Sequence, residues 1–364
     1  WGATGSWEEY NGATWVAATT TPTSADSVIT ILSGHNITVA ANVAIDQTTI
    51  NSGGTVTIAT GIILTLNNGT GDEITVASGG ILDVIGTLAF GGIPNKTVQV
   101  SGTLKNNIGS ISAPSAAKLF FLAGSFYEHL YTTTAGTIPT ASWNATSTCS
   151  ILGYTTNTAV PSGLAQTFGH FTWNCASQSS TISFGGALTA VAGNLTVTST
   201  GSGLFFLTTT TDFTLNVTGN AVFNGGIVGI TETTGIGTVN ITGNFSMATD
   251  AYLQLSADGN TTMNITGTIT ISGAGAPTLD FSAGLGIGTI NLQGGFTASA
   301  ASAVISNTID VAGRAVFNFS GTTNQAYSFL LQTLKALNHP VKYLKKIAMP
   351  IETSAAAAAI ARIP

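Results

Sequence analysis

Charged residues are scarce in this sequence. Only 7% of its 364 residues are Asp, Glu, Lys or Arg, against about 25% in a typical soluble domain. The polar surface must therefore consist mainly of hydroxyls and amides, which suits strands whose outward positions are Thr, Ser and Asn. Because the chain is acidic, with a pI of about 5.0, it repels phosphate, and nucleic acid is not an expected partner.

Long apolar runs are also missing. No stretch reaches the roughly 18 apolar residues that a membrane helix needs, so we predict no membrane span. The hydrophobic residues, 43% of the total, lie in short alternating runs, which supply a core and argue against a disordered linker. The sequence starts at Trp1 without Met or a leader, which indicates a fragment or the removal of a signal peptide. We expect removal, and an extracellular or cell-surface location.

Motifs of catalysis and metal binding are missing as well. The four histidines share no metal-ligand spacing, and no nucleophile or nucleotide motif occurs. The 15 Asp and Glu residues are scattered, and the adjacent pairs Glu8/Glu9 and Asp72/Glu73 would point to opposite faces of a strand. We therefore predict no catalytic residues, no metal site, no cofactor and no enzyme activity.

The sequence contains only two cysteines, Cys149 and Cys175, far too few for a disulfide-rich scaffold. They lie 26 residues apart, about one repeat of the pattern described next. Two alternatives stay open: a disulfide between neighbouring turns, which fits an oxidising compartment, or two buried free thiols.

Glycine, by contrast, is abundant, with 44 residues, and it marks a repeat. In the second half a triplet such as Val239-Asn240-Ile241 precedes a Gly, and successive glycines of this kind are 19 to 27 residues apart. Alternation broken by Gly is typical of two strands joined by a bend, and a unit of this length buries its apolar face only by stacking on a neighbour, at about 4.8 Å per rung. The sequence predicts an all-β protein, a right-handed parallel β-helix (β-solenoid) with irregular rungs and a short helical C-terminal segment.

The polar residue of the triplet recurs in register. Stacked amides hydrogen-bond to one another along a parallel stack, so these side chains are candidates for a structural ladder. The alternative is an outward solvated position that tolerates any polar residue. A calcium site is disfavoured because carboxylates are too few. The predicted ladder consists of Asn216, Asn240, Asn264, Asn291 and Asp310.

Composition along the chain predicts five regions. Residues 1–25 form an N-terminal cap, in which Trp7 and Trp15 cover the first rung. The others are a first set of rungs at 26–112, irregular aromatic-rich rungs or an insertion at 113–180, repeat rungs at 181–325, and a C-terminal helical cap or assembly segment at 326–364.

The C-terminal end differs from the rest in charge. Residues 314–364 hold six of the nine Lys and Arg residues and one acid, a net charge of +5, whereas the remainder carries −11. Apolar spacing predicts a helix over Ser328–Asn338 that stops at Pro340. We expect this end to cap the stack or to dock on a neighbouring subunit; a truncated or misread end and a plain solvated basic tail are the alternatives. The candidate assembly contacts are Phe329, Leu330, Leu331, Leu334 and Leu337.

Several short segments share the character of one group of surface proteins. They are Gly5-Ser6-Trp7, Thr14-Trp15, Pro22–Val28, Gly136–Asn144, Phe171–Cys175 and the Gly-Asn repeats of the second half. In these segments the sequence resembles the repetitive surface proteins that Bacteroidetes-type bacteria export through the type IX secretion route. The resemblance covers most of residues 1–325. It implies an extracellular β-helical or β-rich body and no particular biochemical activity.

These observations favour a secreted structural cell-surface protein that self-associates into a fibre or surface layer through its β-helix ends and C-terminal segment, so that its main partner is itself. A glycan-binding adhesin, with the aromatic residues of 120–173 as platform and surface glycans as partner, is the alternative. Ice binding by Thr arrays such as Thr55/Thr57 and Thr196/Thr198 is less favoured, because these pairs do not recur at a fixed rung position. A polysaccharide-degrading β-helix enzyme is disfavoured by the scattered carboxylates.

Overall fold

The computed structural model of the chain describes residues 1–26, 28–67, 71–91, 97–308, 315–321 and 327–329. Within these residues the regular structure is all-β, apart from a 3-10 turn at Thr4–Ser6 and with a small antiparallel hairpin, Glu8–Tyr10 with Trp15–Ala17. The other strands stack in parallel sheets, so the fold is a β-solenoid. The chain divides into two compact units. Unit 1 is Trp1–Ile182 with Leu188–Gly203, and unit 2 is Ser183–Ala187 with Leu204–Pro364.

Parallel sheets enclose the core of unit 1. Their strands alternate inward apolar and outward polar side chains, so each sheet buries one face. The first sheet contains Ile29–Ile31, Thr48–Ile50, Ile74–Val76, Val98–Val100, Leu119–Phe121 and Ser142–Trp143. The second contains Asn36–Val39, Thr55–Ile58, Ile81–Val84, Thr103–Asn106, Phe126–His129, Thr148–Ile151, His170–Asn174 and Leu195–Ser199. The third contains Val43–Ile45, Ile63–Leu66, Thr87–Phe90 and Ser110–Ile111, and shorter strands lie at Thr167–Phe168, Ala190–Val191 and Thr181–Ser183.

A cap covers the N-terminal end of unit 1. Trp1 and Trp7 are buried, and their rings lie 4.9 Å apart. The Trp1 indole N–H donates to the Pro22 carbonyl at 2.7 Å, and the Trp1 amine donates to the Thr38 carbonyl on the first strand of the second sheet. The first rung is therefore covered by Trp1 and Trp7. Trp15, which the sequence suggests as part of the cover, stands on the exposed hairpin and is 65% exposed.

Ser-Gly pairs turn the chain between the first and second sheets of unit 1. Gly34, Gly53 and Gly79 have φ values of 77°, 77° and 81°, in the left-handed region that Gly adopts at little cost. The Gly34 N–H donates to the Gly53 carbonyl at 3.0 Å, and the Gly53 N–H donates to the Gly79 carbonyl at 2.9 Å. The turns are therefore stacked on one another like the strands that they join.

A hydrogen-bonded network lies in the aromatic core of unit 1. His129 Nε2 lies 2.8 Å from the Ala135 carbonyl oxygen, and because a carbonyl only accepts, Nε2 carries the proton. His129 Nδ1 then accepts from the Tyr127 hydroxyl at 3.1 Å, while Asn106 Nδ2 donates to the same hydroxyl at 3.2 Å. Burial lowers the pKa of His129 to about 4, and the bond to Ala135, which raises it, offsets only part of this effect. His129 is thus neutral at pH 7.

Unit 2 repeats three strands per turn. The first sheet contains Leu204–Thr208, Ile227–Thr231, Tyr252–Ser256, Thr278–Ser282 and Val304–Ser306. The second, which we call the Thr–Asn sheet, contains Phe213–Val217, Gly237–Ile241, Thr261–Ile265, Gly288–Leu292 and Ala315–Phe319. The third contains Ala221–Phe223, Phe245–Met247, Ile269–Ile271, Phe296–Ala298 and Tyr327–Phe329.

Glycines of the repeat allow the rungs of unit 2 to stack closely. A Cβ on Gly267 would lie 2.4 Å from the Gly243 carbonyl oxygen, and one on Gly294 would lie 2.2 Å from the Gly267 carbonyl oxygen. The sequence predicts a bend at these positions, but none of the three has a left-handed φ. What requires glycine here is the approach of one rung to the next, which leaves no room for a side chain.

The C-terminal region differs from its prediction where it is described. Tyr327–Phe329 is a strand that pairs with Phe296–Ala298, so the helix expected from Ser328 does not begin there. Parallel pairing with a neighbouring rung engages the backbone groups that a helix would bond within itself. The rest of that predicted segment, with Leu330, Leu331, Leu334 and Leu337, lies outside the described residues, as does Asp310.

The two cysteines are buried free thiols rather than a disulfide. Cys149 pairs in register with Phe171, four residues before Cys175. At about 3.3 Å per residue, the cysteines are about 13 Å apart along the sheet, beyond the ~7 Å limit for a disulfide. The rung is shorter here than the separation of the cysteines. Burial raises the pKa of Cys149 well above its ordinary value and that of Cys175 to about 12, so both thiols are unreactive.

Candidate binding face

The outward surface of the Thr–Asn sheet is regular and polar. Its strands pair in continuous register, so outward residues at the same position line up in columns. Neighbouring columns are about 6.7 Å apart along a strand, and rungs follow one another at about 4.8 Å. We call this surface the Thr–Asn face. Its two central columns are Thr214, Thr238, Thr262, Thr289 and Val316, and Asn216, Asn240, Asn264, Asn291 and Asn318.

The asparagines form a ladder of side-chain hydrogen bonds. Asn240 Nδ2 donates to Asn216 Oδ1 at 2.9 Å, and the same bond links each following pair at 2.8, 2.7 and 2.8 Å. The ladder thus contains the four asparagines that the sequence singles out, but its fifth rung is Asn318 rather than Asp310. The last step in the ladder is 27 residues long, whereas the glycine pattern places it after 19, so the sequence pattern misaligns this rung.

The Thr column beside the ladder is not among the candidates drawn from the sequence. Thr238, Thr262 and Thr289 are half-buried, and Thr214 is exposed. The pairs Thr55/Thr57 and Thr196/Thr198 suggest that Thr does not recur at one rung position, but the residue two places before each ladder Asn does. The signal is the spacing Thr-x-Asn, which returns on four successive rungs. Because Thr is β-branched, its χ1 is restricted and its methyl and hydroxyl groups are held in place.

Two outer columns complete the face. Among their residues only Asp212 is charged, and its carboxylate accepts the Ile236 N–H at 2.8 Å. Ile236 is 53% exposed and Ile287 is 38% exposed, so one edge of the face is partly apolar. The outer columns are Asp212, Ile236, Asn260 and Ile287 before the Thr column, and Thr218, Thr242, Thr266, Gln293 and Ser320 after the Asn column.

Asn264→Ala is expected to destabilise unit 2 more than Asn216→Ala. Asn264 donates to Asn240 and accepts from Asn291, so its removal breaks two bonds, whereas exposed Asn216 only accepts one within the ladder. At about 1 kcal/mol per hydrogen bond, the losses should be about 2 and about 1 kcal/mol. Thermal denaturation followed by circular dichroism measures this order, and equal losses would contradict a ladder that contributes to stability.

Carboxylates in unit 2 bind neighbouring rungs. Asp258 Oδ1 accepts the Leu285 N–H at 2.8 Å, and Asp250 Oδ1 accepts the Ala276 N–H at 2.9 Å, each one turn further along the chain. Because these bonds satisfy backbone donors at the corners, the acids serve the stack itself. Across the described ranges, no group of three or more His, Cys, Asp or Glu side chains could hold a metal ion. The same residues include no helix long and apolar enough to cross a bilayer.

In unit 1 the fold brings together three charged residues that are far apart in sequence. Asp83, Lys105 and Glu128 occupy one outward position on successive rungs of the second sheet. Lys105 Nζ lies 3.4 Å from Glu128 Oε2. Burial raises the pKa of Asp83, and the Lys105 charge lowers it in part. Opposite charges on neighbouring strands stabilise a sheet, so we interpret this column as a charge ladder. Only the rung register reveals it, because residue types alone do not.

Most aromatic residues expected to form a glycan platform lie in the core. Phe126 is 48% exposed, while Phe120 and Trp143 are half-buried, and Trp143 stacks on Phe121 at 4.1 Å. The exposed ring of Phe126 is therefore isolated from the others by burial. The buried members are Phe121, Tyr127, Tyr131, Tyr154, Phe168, Phe171 and Trp173.

Comparison with protein-family models, with curated proteins and with solved structures found no match to this sequence or fold. The resemblance to surface proteins of the type IX route therefore remains a prediction from the segments that carry it.

Proposed function

We propose that this protein is a secreted structural protein of the cell surface that associates with copies of itself. The observation that carries the proposal is the use of its polar groups. Asparagines and carboxylates of unit 2 bind the next rung, and the outward columns of the Thr–Asn face are almost free of charge. A body built in this way is stiff and repetitive, and it meets other molecules through its faces and ends.

Charge supports association through the C-terminal segment. Residues 314–364 carry +5 and the remainder carries −11, so the C-terminal segment of one copy is attracted to the body of another. The opposite end of the chain is less suited to this role, because Trp1 and Trp7 cover the first rung of unit 1. Contact between a tail and a body is heterologous, and such contacts build fibres or layers when they do not close.

Two finer points belong to the same proposal. The coil is right-handed, because about 98% of crossover connections between parallel strands are right-handed. An apolar assembly segment follows Tyr327–Phe329, and the spacing of its leucines favours a short helix.

Self-association of the full chain is expected to weaken as salt rises. Between about 0.01 M and 1 M salt the Debye length falls from about 30 Å to about 3 Å, which screens attraction between tail and body. Sedimentation velocity and negative-stain electron microscopy at both salt concentrations measure the effect. The triple variant Lys342→Gln, Lys345→Gln, Lys346→Gln should associate less at low salt, whereas the control Lys96→Gln, Lys118→Gln should not. Monomers under every condition, with an intact circular dichroism spectrum, would rule the proposal out.

A glycan-binding adhesin has weaker support, since most of the aromatic residues that would form its platform are buried. A glycan array without a single binder would remove this alternative.

A further inference from the structure

The Thr–Asn face repeats in two directions. Along a strand its columns are about 6.7 Å apart, and along the stack its rungs are about 4.8 Å apart. The Thr column keeps the same residue from Thr214 to Thr289 in unbroken register. A ligand that engages the whole face must itself repeat in two directions on this length scale, as the rows of water oxygens in an ice crystal do. We propose that the Thr–Asn face of unit 2 binds ice, an activity beyond the structural role proposed above.

The side chains of this face are held in place before any ligand arrives. Each amide of the ladder uses one N–H for the preceding Asn, as Asn264 does toward Asn240 at 2.8 Å, and keeps a second N–H for water. The threonines are restricted at χ1. A surface whose rotamers are already fixed loses little entropy when it orders water into a lattice or meets one.

The charge of the face fits an uncharged partner. Ice carries no net charge, and among the described residues of the face only Asp212 is ionised, at its corner and bound to the Ile236 N–H. The exposed side chains of Ile236 and Ile287, with the Thr methyl groups, gain from leaving liquid water. Hydroxyls and amides between them offer hydrogen bonds to ordered water oxygens. Alternating apolar and polar groups therefore suit a crystal surface made of water.

A polysaccharide is a weaker candidate for this face. Sugars are commonly bound by aromatic rings that present an apolar surface with a polar edge. The described positions of the four columns hold Thr, Asn, Ile, Val, Gln, Ser and Asp residues, with no aromatic ring among them. A second copy of the chain would have to fit its own flat face against this one, and that outcome is left to the experiment.

Thermal hysteresis and inhibition of ice recrystallisation test the proposal on the full chain. The wild type should show both activities. Thr262→Tyr, in the middle of the Thr column, should abolish most of the hysteresis because the ring lifts the crystal off the face. Thr270→Tyr is the matched control, since Thr270 is also an outward, half-buried Thr in the next strand of the same turn but lies on the third sheet. This variant should keep the wild-type activity.

Three results would overturn the proposal. They are a wild type without hysteresis or recrystallisation inhibition, equal losses in Thr262→Tyr and Thr270→Tyr, and binding to crystalline cellulose or chitin that Thr262→Tyr removes in a protein inactive on ice. Circular dichroism of both variants confirms that each is folded. Sedimentation of the same samples measures self-association separately, so failure of ice binding and failure of the structural role are distinguishable.

Discussion

Acidification from pH 6.5 to about pH 4 is expected to lower the free energy of unfolding of unit 1 by about 3 kcal/mol through His129 alone. The ordinary pKa of this side chain is 6.5, and burial lowers it to about 4 in the folded protein. Between these values the unfolded chain binds a proton that the folded protein does not. Stability contributed by neutral His129 is therefore complete above pH 6.5, falls as the pH drops, and levels off below about pH 4.

The hydrogen bonds around the ring explain why the folded protein resists the proton. Nε2 already donates to the Ala135 carbonyl, so a second proton must go to Nδ1. There the Tyr127 hydroxyl donates at 3.1 Å, and two donors would face each other. The Tyr127 hydroxyl would have to turn away, in a core from which water is largely excluded.

His129→Gln removes this titration and should flatten the dependence of the thermal midpoint on pH between 6.5 and 4. His35→Gln, at an exposed position, should leave the wild-type profile unchanged and serves as the control. Titration of carboxylates adds a slope that all three proteins share. Nuclear magnetic resonance of the wild type gives an independent measurement, because the His129 ring should not titrate above about pH 5. A ring that titrates near 6.5, or parallel profiles for wild type and His129→Gln, would refute the expectation.

Gly259→Ala is expected to destabilise unit 2 by about 3 kcal/mol. Its added Cβ would lie 2.1 Å from the Gly235 carbonyl oxygen and 2.5 Å from the Thr233 carbonyl oxygen. Both atoms belong to the backbone of the preceding rung, so no side chain can rotate away. Relief requires the rungs to separate where the strand Thr261–Ile265 begins, which breaks the hydrogen bonds that hold the Thr–Asn sheet together.

Gly5→Ala provides the control for this substitution. A Cβ on Gly5 meets no atom within 4 Å, and its φ is not left-handed. Its effect on stability should be within about 0.5 kcal/mol, as for surface substitutions without special contacts. Thermal melting of the three proteins makes the comparison, and a Gly259→Ala protein as stable as Gly5→Ala would show that the rungs can separate at little cost.

The parallel stack could be predicted because its signal is local. Apolar residues that alternate with polar ones, interrupted by Gly at intervals close to one turn, indicate strands that need neighbours. The ladder from Asn216 to Asn291 could be predicted for the same reason, since it depends only on the register of one recurring phrase. The last rung could not, because the stretch between Gly294 and Asn318 is longer than the pattern and a second Gly-containing phrase at Val311-Ala312-Gly313 imitates it.

Contacts between rungs of irregular length could not be predicted from the sequence. The positions of Cys149 and Cys175 depend on how many residues complete a turn in the aromatic region, where no phrase recurs to reveal it. The same is true of the network around His129 and of the column of Asp83, Lys105 and Glu128. Each of these depends on a pairing between strands more than 20 residues apart, which residue type and local period do not determine.

The uniform spacing of turns in unit 2 has an evolutionary consequence. Gly237–Ile241 and Thr261–Ile265 take the same place on consecutive turns, 24 residues apart. If a gene gained or lost such a stretch by in-frame tandem copying, it would rejoin ends that already match, so the remaining turns would keep their neighbours. Length is thus a trait that this architecture can vary in whole steps, without a new fold having to arise.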